Sequence, residues 1–270
     1  MILLLSLTSF AGNYQNWPPP PVNPVVRSNY DGDTLTLENG DKVRLSWVNT
    51  PELKPPEAYG KEARDLTQRL TEGKTVQLVL QGENPRDGYG RLLAGITVDG
   101  VNLSIALLEE GLGHVFIIPP EQYDVQPLLD AQARAKAAKK GIWTTDHYQG
   151  TLHITSFHAN AEGDDRENVN GEYMRVANIS EHSVNLLGYK IAKETGLSFD
   201  LPDVTVPAGY TVAVHSGHGR HQADPAAQLS VYLGSDVPIW NNDRDRVIIY
   251  DKFGKVVDTR EHEIKSKPTP

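Results

Sequence analysis

Residues 34–37 alternate polar and apolar side chains (Thr34, Leu35, Thr36, Leu37), which predicts a half-buried strand. Asn39-Gly40 follows as a two-residue hairpin signal, because both positions tolerate positive φ. Residues 42–47 return as the partner strand, with Val43, Leu45 and Trp47 on one face and Arg44 and Ser46 on the other. An earlier strand opens at Val25-Val26, and Thr50-Pro51 ends the hairpin's second arm, since a residue before proline is pushed to extended geometry. The period then changes: Tyr59, Ala63, Leu66 and Leu70 recur at helical spacing, and Gly73 stops the run. Strands are predicted over 75–80 and 92–98, a short helix over 103–110, a brief apolar strand over 114–118, and a helix over 128–140. Basic residues in the last turns of that helix suit its dipole. Short strands surrounded by three helices predict an α+β domain on a small barrel of the OB type.

From Thr151 onward helical periodicity gives way to short strands, predicted at 151–154, 173–176, 184–186, 189–192, 210–214, 231–233, 246–250 and 255–258. Regular short strands with intervening turns predict an all-β sandwich. Gln149-Gly150 is the seam, polar and glycine-containing, and it predicts a first domain able to fold and act alone. The expected division is a signal-like segment and proline-rich spacer over 1–24, a first domain over 25–148, a sandwich over 149–264 and a tail over 265–270.

Composition narrows the chemistry. The 270 residues suit two domains. The absence of cysteine removes disulfide scaffolds, thiolate metal sites and cysteine nucleophiles together. A net charge of -9 excludes a broad basic coat for nucleic acid, so contacts to phosphate must come from a few placed residues. No apolar stretch reaches the ~20 residues that span a bilayer. The opening Met1 to Leu7, MILLLSL, has the apolar part of a secretory signal but lacks its basic start. It predicts a secreted or envelope-associated protein, and the prolines at 18–21 and 24 predict a stiff extended spacer.

Three segments of the first domain share one chemical theme. Asp31-Gly32-Asp33-Thr34 sets two carboxylates at a turn. Arg44 lies on the partner strand, followed by Asn49-Thr50-Pro51-Glu52, and Arg91 follows the loop Asp87-Gly88-Tyr89-Gly90. Hard oxygen ligands suit calcium or magnesium. Two guanidinium groups can clamp a phosphate, and a free glutamate beside them can take a proton from water. Hydrolysis of a phosphodiester uses all three.

In this order and spacing, the segments resemble the staphylococcal nuclease family, and Ala133-Arg134-Ala135-Lys136 with Gly141-Ile142-Trp143 resembles its last helix and terminal tryptophan. The resemblance implies a calcium-dependent phosphodiesterase acting on DNA and RNA. It assigns Asp33 as a calcium ligand, Thr50 as a ligand through its backbone carbonyl, Glu52 as general base, Arg44 and Arg91 as phosphate binders, and Tyr89 as a neighbour of the nucleotide. Asn49 stands where the family usually has aspartate, so this ligand brings no charge. The aromatic pair of the nucleotide pocket is replaced by Phe116 and Ile118. In the second half, the segments 172–178, 184–189, 207–209, 240–242 and 254–258 resemble the lamin-tail domain. That resemblance implies an immunoglobulin-like sandwich that binds or anchors, with a surface or envelope ligand. The expected protein is a monomeric nuclease with an accessory domain. The rival readings are an inactive OB-fold module that binds nucleic acid on a surface protein, and a surface protein whose sandwich is the working part. His215, His218 and His221 recur every third residue and are read as a solvated glycine-rich loop.

Overall fold

The computed structural model describes residues 18–82, 85–121 and 123–263; the signal-like segment, Trp17 and the tail lie outside them. Strands β1 (Val26–Asn29), β2 (Thr34–Leu37) and β3 (Lys42–Leu45) form an antiparallel meander, with Leu35, Leu37, Val43 and Leu45 all buried. The hairpin predicted at Asn39-Gly40 joins β2 to β3, and Gly40 takes φ 92° there. The alternation does not continue through Trp47. The chain breaks at Ser46, Trp47 adopts φ 68°, and Trp47–Asn49 becomes a separate strand, β4. The reason is steric and polar. The Trp47 indole fills the space over Gly95, where a Cβ would lie 2.1 Å from the ring, and its Nε1 donates to Glu121 Oε2 at 2.7 Å.

Helix α1 (Gly60–Thr71) buries Ala63 and Leu66 against this meander, as its period required. Strands β5 (Gln77–Leu80), β6 (Leu92–Val98) and β7 (Val101–Asn102) extend the sheet to the order β1-β2-β3-β6-β5, with β7 on β6. The β3–β6 pair is parallel. Helix α2 (Leu103–Glu109) starts on an Asn102 cap, whose side chain accepts from Ile105 N. Strand β8 (His114–Phe116) pairs with β4, and α3 (Gln126–Ala137) closes the first domain.

The second half is built of strands: β9 (Leu152–His158), β10 (Tyr173–Asn178), β11 (Val184–Asn185), β12 (Lys190–Lys193), β13 (Ser198–Asp200), β14 (Thr205–Val206), β15 (Thr211–His215), β16 (Leu229–Tyr232), β17 (Arg244–Tyr250) and β18 (Val256–Glu263). They form two four-stranded sheets, β16-β15-β10-β9 and β13-β12-β17-β18, with the small pair β11-β14 beside them. Met174, Val176, Val212, Val214 and Val231 from one sheet meet Ile191, Val247 and Ile249 from the other in one apolar core. Strands β13 and β14 went unforeseen because two or three residues carry no readable alternation.

The seam at Gln149-Gly150 is not a loose linker. Ala135, Ile142, Trp143 and Tyr148 of the first domain pack with Ala177 and Ile179 of the second in a buried cluster. Ile117 exchanges backbone hydrogen bonds with the second domain: its N donates to Gly209 O at 2.9 Å, and its O accepts from Thr211 N at 2.8 Å. A polar seam in sequence thus lies beside an apolar joint in space.

Candidate active site

The turn that opens β2 is held by its own side chain. Asp31 Oδ1 accepts from the backbone N of Asp33 (3.2 Å) and of Thr34 (2.7 Å), a local geometry that aspartate forms readily. Gly32 is required at its centre, since a Cβ there would come within 2.7 Å of both Ala63 and Thr50. This close approach brings the Asn49-Thr50 segment onto Asp33. Thr50 donates to Asp33 Oδ2 from its backbone N (2.8 Å) and its hydroxyl (3.0 Å). Arg44 lies across from Thr34 in the β2–β3 register. Its Nη2 is 3.2 Å from Asp33 Oδ2 and donates to Asn49 Oδ1 at 2.9 Å, while Nη1 donates to the carbonyls of Leu45 (2.6 Å) and Val48 (2.9 Å). The guanidinium stands 5.7 Å from the Phe116 ring centre. Asp33, Arg44, Asn49 and Thr50 are therefore one connected set.

Glu52 sits in the loop after β4. The backbone of that loop is closed by Glu57, which donates its N to Glu52 O (2.8 Å) and accepts from Glu52 N through Oε2 (2.9 Å). Glu57 is in turn paired with Arg260 of β18 at 3.2 Å, so the second domain braces the loop that carries Glu52. Burial, followed by the charges of Asp33, Asp31 and Glu57, pushes the Glu52 carboxyl up to about 7; Arg44 opposes this only weakly. Burial and the charge of Asp33 likewise raise Asp31.

Arg91 comes to the same cleft on a different kind of support. Asp87 Oδ1 accepts from the backbone N of Tyr89 and of Arg91 (3.0 Å each), and its Oδ2 accepts from Arg91 Nε (2.7 Å). The loop is tied down from below by Arg86, which donates to Asp41 (3.0 Å), Gly90 O (2.8 Å) and Pro18 O (3.1 Å). Tyr89 is 79% exposed, with its ring centre 5.5 Å from the Arg91 guanidinium carbon.

Asp31, Asp33, Arg44, Asn49, Glu52, Tyr89, Arg91 and Phe116 all line one open cleft of about 1190 Å³; Thr50 lies just behind it, 3% exposed. Ile118 lines it too. The residues singled out by order and spacing are thus brought together. What sequence reading missed is the opposite wall, where Ser156, His158, Tyr173 and Arg175 come from the second domain. Glu57 and Arg260 were missed as well. No local pattern marks Arg260, because it reaches the Glu52 loop only through the packing of the two domains, whereas Glu57 is a local neighbour that sequence reading overlooked.

The donor set is all oxygen: two carboxylates, an amide and a hydroxyl-bearing residue. The raised acids Asp31 and Glu52 show negative charge crowded without full compensation. Both features fit a hard divalent cation. Among the described residues no three His, Asp or Glu side chains gather as a ligand cluster.

The staphylococcal nuclease homologue family matches residues 42–145, and the lamin tail domain matches residues 145–263. Asp31 and Asp33 lie just ahead of the first match. Endonuclease YncB of Bacillus subtilis (strain 168) is 38% identical over 136 residues, which cover 47% of this chain and 64% of that protein. The SPbeta prophage-derived endonuclease YokF of the same organism is 34% identical over 126 residues, 44% of this chain and 43% of that protein. A thermonuclease of Staphylococcus intermedius is 34% identical over 128 residues, 44% of this chain and 74% of that protein. The chain belongs to the staphylococcal nuclease homologue family and carries a lamin tail domain behind the nuclease-like unit. It spans under two thirds of the length of the two Bacillus endonucleases.

Proposed function

We propose that the protein is a calcium-dependent nuclease that hydrolyses phosphodiester bonds in DNA, RNA or both. The observation that supports this most is the convergence on one cleft of a glutamate poised at about 7 and two arginines. A general base works best when its pKa lies near the working pH, and Glu52 meets that condition in the metal-free protein. In this reading Glu52 takes a proton from the attacking water. Arg44, preoriented by two backbone carbonyls and Asn49, holds the phosphate and meets the charge that grows on its oxygens. Arg91 reaches the same phosphate from the Asp87 loop. Tyr89 and Phe116 border the nucleotide. Asp33, Asn49 and the Thr50 carbonyl would hold calcium, which supplies a positive charge beside the phosphate oxygens when bound.

In the same reading the first domain, 25–148, is an OB-type barrel, and the second, 149–264, is an immunoglobulin-like sandwich that serves as a binding or anchoring module for a surface or envelope ligand. The protein acts as a secreted or envelope-associated monomer. No helix among the described residues is long and apolar enough to cross a membrane. The deciding experiment is digestion of denatured DNA and of RNA by the full chain, with calcium and with a chelator. Calcium-dependent cutting abolished by chelation is expected. No cutting of either polymer at any calcium concentration would overturn the reading.

A further inference from the structure

The cleft has a wall that the catalytic residues do not explain. Met174 and Val176 of β10 point into the sandwich core, 0% and 2% exposed, so Tyr173 and Arg175, which alternate with them, emerge on the opposite face. The register places one aromatic ring per strand in a row across that face: His158 on β9, Tyr173 on β10, His215 on β15 and Tyr232 on β16. His158 and Tyr173 stack with centroids 4.3 Å apart and planes 18° apart; His215 and Tyr232 stack at 5.0 Å and 17°. His215, expected in a loop, is therefore part of a strand. The end of this row formed by His158 and Tyr173 lines the nuclease cleft, and Arg175 stands beside it.

Arg175 is the informative residue. Among the described residues its one side-chain hydrogen bond is from Nη1 to Thr211 Oγ1 at 3.3 Å. Among the described residues no carboxylate pairs with it, whereas Arg44, Arg86, Arg91 and Arg260 each have one. A half-buried guanidinium without a counter-charge is costly to keep. It is retained on the wall of a cleft whose floor already binds phosphate in the reading above. Tyr89, on the nuclease side, lines the same cleft as Tyr173. The cleft, at about 1190 Å³, exceeds the ~300–1,000 Å³ typical of a small-molecule pocket. It has room for chain beyond the scissile nucleotide.

We propose that the lamin tail domain is the second half of the substrate cleft, with Arg175 binding a backbone phosphate and the His158–Tyr173 stack meeting an unpaired base of a single strand next to the scissile site. The inference rests on the nuclease reading. The occupant is a single strand because a duplex keeps its base faces within its own stack, whereas splayed bases extend a protein aromatic stack. The charge is right for phosphate, and the surface is continuous with the catalytic cleft. The rings are held by neighbouring strands, so little side-chain freedom is lost when a base docks.

The test uses the full chain with a dye-labelled 12-nucleotide oligothymidylate in chelator, so that binding is read without cleavage. Arg175→Met and Tyr173→Leu are each expected to weaken binding about tenfold, and Arg175→Met to reduce the salt slope by about one phosphate. With calcium, kcat/KM on the 12-mer relative to a dinucleotide should fall about tenfold in both variants. Arg175→Met removes an unpaired charge, so its melting temperature should hold or rise, whereas a structural role would lower it. Wild-type binding in both variants, equal losses on 12-mer and dinucleotide, or no binding of the 12-mer by the wild type would each overturn the proposal. Should the chain cut nothing, the nuclease reading fails, and the binding arm still decides this one.

Discussion

Glu52, half-buried on the wall of the cleft, and Asp258, buried at the domain joint, are both acids partly withdrawn from water, yet their surroundings drive them in opposite directions. Glu52 is pushed up to about 7 because burial and three neighbouring carboxylates outweigh Arg44. Asp258, 4% exposed, is drawn down to about 2 although burial alone would raise it. Its partners reverse the sign: His147 Nδ1 is 3.6 Å away, His153 Nδ1 is 3.0 Å away, and Ile154 N donates to Oδ2 at 2.7 Å. Next to this group, His114 is fully buried and lowered to about 3, first by burial and then by His153. At the domain joint the Asp258 carboxylate is met from both sides, by His147 of the first domain and by His153 and the Ile154 N–H of the second. The cleft has carboxylate charge left over, which suits a site that receives a cation and a proton. Burial alone does not distinguish structural acids from functional ones; the sign of the net local charge does.

The comparison breaks first at Glu52. Glu52→Gln is expected to lower turnover by at least ~100-fold, the lower end of what general-base catalysis supplies. Its effect on stability has the opposite sign. An acid raised from 4.5 to about 7 on folding stabilises the fold below pH 4.5, and that contribution is lost as pH rises through 7. In chelator at pH 8 the variant should therefore melt above the wild type. A variant with near wild-type turnover removes Glu52 from the base role, and one that melts lower removes the claim of uncompensated charge.

The two arginines come next. Arg44 is fixed by Asp33, Asn49 and two carbonyls, whereas among the described residues the Arg91 guanidinium is hydrogen-bonded only to Asp87 and borders the exposed Tyr89 ring. Lysine keeps the charge but loses the planar fork. Arg44→Lys should cost more in kcat than Arg91→Lys, by roughly tenfold, and should also lower the melting temperature because four contacts are lost. Equal kinetic losses would show that the scaffolding around Arg44 contributes nothing beyond its charge.

Asp258→Asn probes the joint. Depression from 3.8 to about 2 corresponds to about 2 kcal/mol of stability, present above pH 3.8 and lost as pH falls through 2. The variant should lose that much by denaturant melts at pH 7 while the wild-type difference shrinks towards pH 2. His114 adds a separate acid limb: lowered from 6.5 to about 3, it makes the fold lose stability as pH falls below 6.5 in both proteins. A pH-independent gap between the two proteins would show that Asp258 is not charged in the joint.

The smallest effect is expected at Asn49. Asn49→Asp restores one negative charge beside Asp33, so half-maximal activity should need several-fold less calcium, since affinity follows ligand charge. The added carboxylate would also take Arg44 as a closer partner through the contact that Asn49 Oδ1 makes now. An unchanged calcium midpoint in activity titrations would place the Asn49 side chain outside the metal shell.

The sequence alone determined the local pieces. Alternation and an Asn-Gly turn specify the β2–β3 hairpin, helical spacing specifies α1, and Asp-Gly-Asp specifies a turn that binds its own backbone. These are interactions over a few residues, so they can be read in order along the chain. The residues that line the cleft were legible too, through an order and spacing that resemble the staphylococcal nuclease family. Tertiary structure decided where they point. It broke the strand at Ser46 so that Trp47 could cover Gly95, and it laid Thr50 against Gly32 so that Asp33 is shared. It set Arg260 behind the Glu52 loop and Arg175 across the cleft. Those last two lie more than eighty residues from their counterparts in the chain. Their contacts arise from the packing of Ile142, Trp143 and Tyr148 on Ala177 and Ile179, and no periodicity within either domain encodes that meeting.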